Sequence, residues 1–473
     1  MVDRGRGAYG GDHREEAVRV SEFMRNSDAF TWAMEHDPRL RSTVVTILVF
    51  EKAPDWEVVR SRFDRVARTI PMFRRRVVEN LPPAPPRWED DLDFDLDYHL
   101  RRVEAPAPHT LDTVLEMARR AEMADFDRAR PLWEVTLVEG LENGEAALLV
   151  KMHHALSDGV GGVQIAMILF DVEAEPAVQQ PMPPAPDLVV PGVGDGLRQL
   201  ATYDVRQLVD LSRGVLRKGP RLVLAGLRRP IGTVRSGVEL AASVYRTVRP
   251  INRTGSPLML ERGMVRRLGV HEAPLGDLKA AAHAGGGSLN DAFLAGVTGG
   301  LRLYHEKHGV AVDELHVTMP VSIRADGDPM GGNRITLMRF DLPVAVVDAG
   351  ERIRRIHERA GGVRNEASLP YTQQIAGALN LVPRWYIGAI LRHVDFLASD
   401  VPGIPVPVYL GGAAMRVQYA FGPTIGAAVN ITLVSYVDTC TFGINVDTAA
   451  IPDFDLFLEC VAAGFDEVLA LAG

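Results

Sequence analysis

Apolar positions with strand or helix spacing fall into two long stretches of this chain, with an aperiodic interval between them. In the first stretch, Ser42 to Phe50 is dense in β-branched residues and reads as a strand. Asp55 to Thr69 places Val58, Val59, Phe63 and Val66 on one side of a helix. Thr110 to Ala124 reads as a second helix. Trp133 to Val138 and Glu145 to Met152 read as strands joined through Leu141-Glu142-Asn143-Gly144 as a hairpin. A glycine-spaced apolar run, Val160 to Phe170, predicts a helix that closes the unit. In the second stretch, Leu289 to Tyr304 reads as a helix, and Leu315 to Pro320 and Arg334 to Leu342 as strands. Ala427 to Val437 and Thr439 to Val446 alternate as a hairpin around Val437-Asp438. Mixed strands and helices of this kind predict layered α/β domains.

The interval has two parts. A proline-rich break runs from Pro176 to Pro191, too dense in proline for a continuous helix or a central strand. Leu197 to Arg253 then carries twelve Arg and Lys against Asp204, Asp210 and Glu239, a local excess of nine positive charges, with leucines and valines interleaved at helical spacing. The predicted division is therefore a flexible polar tail (1–26), an N-terminal domain (27–185), a linker and basic helical crossing (186–257) and a C-terminal domain (258–473).

Composition narrows the class. The 473 residues allow two or three cores, and 47% hydrophobic residues is ordinary for a globular chain. A net charge of −9 argues against nucleic acid as the main partner. Cys440 and Cys460 are too few for a disulfide framework, which predicts reduced thiols in a cytoplasmic protein. No apolar run is long enough to span a bilayer, and the polar N-terminus has no signal core. The basic crossing admits two readings: solvated helix faces, or attachment to an anionic membrane or lipid-droplet surface.

The chemistry concentrates in His153-His154-Ala155-Leu156-Ser157-Asp158-Gly159, between the apolar run Ala146 to Val150 and the helix that follows. Neighbours at a strand end point to opposite faces, so one histidine can face a cleft while the other packs inward. A neutral imidazole can take a proton from a hydroxyl at cellular pH. Asp158 is placed to orient a ring or to anchor the loop through an arginine. Two partly buried structural histidines are the bland alternative. No cysteine or histidine cluster near the motif completes a zinc site, so no metal is predicted. Ser157 lacks the flanking glycines of a nucleophile elbow. Cys460 lies in an apolar helical stretch, Phe454 to Phe465. What remains is His154 as a base without a covalent partner, the pattern of direct acyl transfer to an alcohol or amine.

Several motifs in order resemble the bacterial wax ester synthase/diacylglycerol acyltransferase family. The HHxxxDG pattern itself is common to the wider group of CoA-dependent acyltransferases. Pro131-Leu132-Trp133, Asn290-Asp291, Pro320-Val321-Ser322-Ile323-Arg324, Gly332-Asn333 and Ser399-Asp400-Val401-Pro402-Gly403 follow the family order, and Asn430-Ile431-Thr432 with Phe442-Gly443 resembles its closing hairpin. Asp400 replaces the usual asparagine and Ile404 the usual proline, and Glu35 to Arg41 is unusually charged.

The resemblance implies two chloramphenicol-acetyltransferase-like domains with mixed sheets and an active-site tunnel between them. It implies acyl-CoA as donor, diacylglycerol or a long-chain alcohol as acceptor, no cofactor, and peripheral association with the inner membrane or lipid droplets. His154 becomes the base, with His153 and Asp158 beside it; Gly159, Pro131, Leu132, Trp133, Asn290, Asp291 and Arg324 become candidates for shaping or contacting substrate. Most have a bland reading: Asn290 and Asp291 as helix caps, Pro131-Leu132-Trp133 as core, and Arg324 as a strut to Asp158; Gly403 and Gly332 are read as backbone turns. Two other functions remain open: an HHxxxDG enzyme using a carrier-bound thioester, or a non-catalytic lipid-binding droplet protein.

Overall fold

The computed structural model describes residues 22–80, 84–157, 159–175, 181–186, 253–322, 335–364 and 393–473. Asp158, Arg324, Gly332 and most of the basic crossing lie outside these residues. The chain enters the fold earlier than the tail boundary at 26 predicts. Strand β1 (Glu22–Phe23) pairs with β4 (Arg87–Asp90), which also pairs with β3 (Arg75–Val78), and Met24 is buried. Burial of these apolar residues outweighs the polar character of the residues before them.

The N-terminal sheet is built on β2 (Thr43–Phe50), β5 (Leu100–Glu104), β6 (Trp133–Glu139) and β7 (Ala146–His153), with the one-turn helix α3 (Leu96–His99) leading into β5. Its order is β12-β13-β2-β7-β6-β5, where β12 (Tyr409–Leu410) and β13 (Ala413–Phe421) come from the far end of the chain. The alternation along β2 explains its layers. Val45, Ile47 and Val49 pack on one face with Val114, Leu115 and Ala118 of helix α4 (Leu111–Met123). The other face points toward α2 (Trp56–Thr69) and α5 (Gly159–Leu169). Helix α2 buries Val59, Phe63 and Val66, and its Asp55 cap accepts from Val58 N–H. The predicted 141–144 connection carries positive φ at Asn143 and Gly144, as a tight hairpin requires.

The second sheet has the order β10-β9-β11-β14-β15-β8. Its strands are β8 (Arg266–Pro274), β9 (Glu314–Ser322), β10 (Ile335–Pro343), β11 (Phe396–Ile404), β14 (Val429–Tyr436) and β15 (Thr439–Asp447). Between β8 and β9 lie α6 (Leu275–Ala284) and α7 (Leu289–Lys307); α8 (Ala349–Arg364) and α9 (Phe454–Leu469) complete the layer. Both sheets mix parallel and antiparallel pairs. Cys440 and Cys460 are free and buried here.

The two sheets are locked together through β13. It hydrogen-bonds to β2 from Phe421↔Val45 to Met415↔Phe50, so the N-terminal sheet draws a strand from beyond the predicted boundary at 258. Thr441 on β15 donates to Gln418 O at 2.7 Å, and Asn445 Nδ2 donates to Gly422 O at 2.9 Å. Tyr419 hydrogen-bonds the Glu272 carboxylate on β8. Among the described residues, no helix is long and apolar enough to cross a membrane.

Candidate functional site

Strand β7 ends at the histidine pair. The His153 N–H donates to Leu132 O at 3.0 Å, which extends the β6–β7 ladder to its last residue. The His154 N–H donates to Ser42 O at 2.9 Å, beyond the end of β2. The chain then turns through Ala155-Leu156-Ser157 before α5.

The two rings have different surroundings. His153 is buried, edge-on to Trp32 and Phe126. Its Nδ1 accepts from the Ala155 N–H at 3.1 Å, so in this arrangement the proton of a neutral ring sits on Nε2. That Nε2 lies 3.2 Å from Glu35 Oε1, at the end of α1 (Asn26–Met34). Glu35 also accepts from the Ser42 N–H at 2.5 Å. Burial pushes the Glu35 carboxyl up, but the His153 ring and the Ser42 N–H outweigh it and hold the carboxyl below its ordinary value. The Ser42 backbone is thus held on both sides, by Glu35 at its N–H and by the His154 N–H at its carbonyl. Glu35 was singled out in the sequence only as part of a charged segment. No motif or spacing ties it to the histidines.

His154 lines a cavity of about 330 Å³ between the two sheets. Val44, Thr46 and Leu48 of β2, Val150 and Met152 of β7, and Gln418 and Ala420 of β13 form one wall. A second comes from α5, with Gly162, Val163, Ile165, Ala166, Leu169 and Phe170. Pro320, the Ser399–Pro402 segment of β11, Ile404, Thr432 and Val434 come from the second sheet. Asp400 and Ile404, the two departures from the family pattern, both lie on this wall. The strand needs its glycine here: a Cβ at Gly403 would overlap the Ser435 carbonyl, where the β11–β14 register shifts.

The remaining sequence candidates separate by place. His153, His154 and Ser157 border the cavity. Gly159 is the first residue of α5. Leu132 and Trp133 are fully buried in the N-terminal core and do not border the cavity. Trp133 stacks on His99 at 4.4 Å and donates Nε1–H to Phe73 O at 2.9 Å, so the Pro-Leu-Trp element stiffens β6 behind the histidines. Asp291 is a helix cap: it completes a capping box with Ser288 and accepts from His357 Nδ1 at 2.8 Å. Asn290 sits beside it, and neither borders the cavity. Among the described residues, no group of three acidic, His or Cys side chains is gathered as a metal site.

The family model for the wax ester synthase/diacylglycerol acyltransferase catalytic domain matches residues 24–293, and that for the C-terminal domain matches 331–468. The chain belongs to this family. It is 37% identical over 467 residues to the putative diacylglycerol O-acyltransferase Rv2484c of Mycobacterium tuberculosis (strain H37Rv), covering 97% of this chain and 94% of the relative. The probable diacylglycerol O-acyltransferase tgs2 of M. tuberculosis (strain CDC 1551) is 30% identical over 400 residues, covering 82% and 84%. The wax ester synthase/diacylglycerol acyltransferase from Marinobacter aquaeolei VT8 superposes with a TM-score of 0.64 at 22% identity, over 96% of this chain and 100% of that one. The first condensation domain of the calcium-dependent antibiotic synthetase gives 0.60 at 14% identity, over 96% and 98%. These structures share the two-domain α/β fold with mixed sheets expected from the sequence. As a family member the chain is an acyltransferase, and its histidine pair lies at the seam between the two sheets.

Proposed function

We propose that this acyltransferase moves a long-chain acyl group from acyl-CoA to the hydroxyl of diacylglycerol, or of a long-chain alcohol, with His154 as the general base. One observation carries the reading: both histidines border a largely apolar cavity at the seam of the two sheets, but His153 is buried with its Nε2 3.2 Å from Glu35, which leaves His154 for the substrate. An apolar cavity suits hydrocarbon substrates, and a single imidazole beside it suits direct transfer. The names of the mycobacterial relatives support diacylglycerol as acceptor.

In the proposed step, His154 removes the hydroxyl proton as the oxygen attacks the thioester carbonyl. The tetrahedral intermediate collapses with cleavage of the C–S bond. The protonated ring returns its proton to the departing CoA thiolate, so no enzyme-bound acyl group forms. A positioned base of this kind contributes about 10²–10⁴-fold, with further gain from aligning two substrates.

The test is His154→Ala, assayed with palmitoyl-CoA and dioleoylglycerol or hexadecanol, following lipid products and CoA release. Ester formation should fall by about 10²–10⁴-fold while the unfolding midpoint stays near that of the parent. Undiminished ester formation in the variant would end the base assignment. Transfer from a carrier-protein thioester but not from acyl-CoA would replace the donor. Supplying the diacylglycerol in neutral or anionic vesicles tests attachment through the basic crossing, which should favour the anionic ones.

A further inference from the structure

The face that α5 turns to the cavity carries Gly162, Val163, Ile165, Ala166 and Leu169, with Phe170 just past its end. The smallest of them, Gly162, stands nearest the histidines, and Leu169 and Phe170 stand at the far end. A methyl group built at Gly162 would meet nothing beyond its own helix backbone and chain neighbours within 4 Å, so this residue borders open space. The opposite wall runs the same way. Val44, Thr46 and Leu48 point to the cavity along β2, and Thr46 sits between Val150 of β7 and Ala420 of β13. From Ser42, whose carbonyl His154 binds, to Leu48 is about 20 Å of strand. At that end Leu48 and Leu169 are buried, and Ile404 joins them from β11.

We propose that helix α5 sets the length of substrate hydrocarbon this enzyme accepts. Gly162 and Ala166 leave the channel open past His154, and Leu169, Phe170 and Leu48 end it. The ligand is an unbranched alkyl chain whose reacting end stays at His154, carried by the acyl donor or by the alcohol acceptor. The channel holds about a dozen carbons or more in extended form. This inference rests on the proposed acyl transfer for its role, but the channel itself is testable by binding alone. Gly162 precedes Leu169 by about 10 Å along the helix axis. A bulky side chain there should therefore close the channel roughly halfway.

The experiment compares the parent with Gly162→Leu. Affinities for straight-chain acyl-CoAs and, separately, 1-alkanols of increasing length are measured by isothermal titration. In the parent, affinity should rise by about fourfold for each added methylene until the channel ends. In Gly162→Leu the rise should stop several carbons earlier in one series, and the long-to-short affinity ratio should fall at least tenfold. The series that moves identifies the donor or the acceptor as the source of the chain. If neither series moves, the proposal is overturned. Leucine favours helix more than glycine does, and Leu169→Ala should shift the break to longer chains, so a misfolded variant cannot imitate the result. Ester assays with the same series separate the two ideas. A shifted break without ester formation leaves the channel standing and removes the acyl-transfer reading.

Discussion

The two adjacent histidines differ in their surroundings, and that difference assigns the proposed role of base to His154. His153 has its Nδ1 lone pair occupied by a backbone N–H and its Nε2 turned to a carboxylate. Glu35 makes this arrangement stable, because it also accepts from Ser42, whose carbonyl fixes the His154 peptide. Glu35→Ala should leave the buried Ser42 N–H without an acceptor, at a cost of about 1–3 kcal/mol. It should also lower kcat by about 10²-fold through misplacement of the neighbouring ring. Glu35→Gln, which keeps an acceptor oxygen, should lose less of both. Denaturant unfolding and steady-state kinetics on the two variants check this; a kcat for Glu35→Ala equal to the parent's would remove the positioning role.

At the scale of elements, the site depends on a strand that changes sheets. The local periods identified β2, β6, β7, β14 and β15 to within a few residues, because each alternates or is continuously apolar over its own length. Nothing in Ala413–Phe421 indicates that it pairs with Val45–Phe50 rather than with its sequence neighbours. That pairing brings Gln418 and Ala420 to the cavity and sets β13 against β15. The contact is close: a Cβ at Gly443 would overlap the Ala420 carbonyl. Gly443→Ala should therefore force the strands apart and destabilise the protein by about 1–3 kcal/mol, as overpacking does. Limited proteolysis should then cut more readily near the 421–429 crossing. Unchanged melting and digestion would show that the seam tolerates the methyl group.

Across the whole molecule, the seam also buries charge. Glu122 on α4 accepts from Asn445 Nδ2 at 2.7 Å, while its other oxygen and Asn445 Oδ1 are buried without a donor. A proton on the carboxyl would supply one. Burial holds the Glu122 carboxyl up at about 7, against the opposing pull of the Asn445 amide and of the Arg266 and Arg119 charges. The unfolded chain titrates near the ordinary value, about 4.3. Between these values the folded state keeps a proton that the unfolded state has released. Stability from this group is therefore full below the unfolded value and falls as pH rises to about 7, by about 3 kcal/mol in all. Glu122→Gln should flatten that part of the stability profile. Unfolding midpoints from pH 4 to pH 8 check this, and parallel profiles for parent and variant would clear Glu122 as the cause. The order of elements, the motif at the end of β7 and the family resemblance were determined by the sequence alone, since each is written in neighbouring residues. The Glu35 contact, the strand shared between sheets, the cavity between them and the buried carboxyl at the seam were decided by tertiary structure. They depend on which distant residues meet and how much water is excluded there, and neither leaves a periodic trace along the chain.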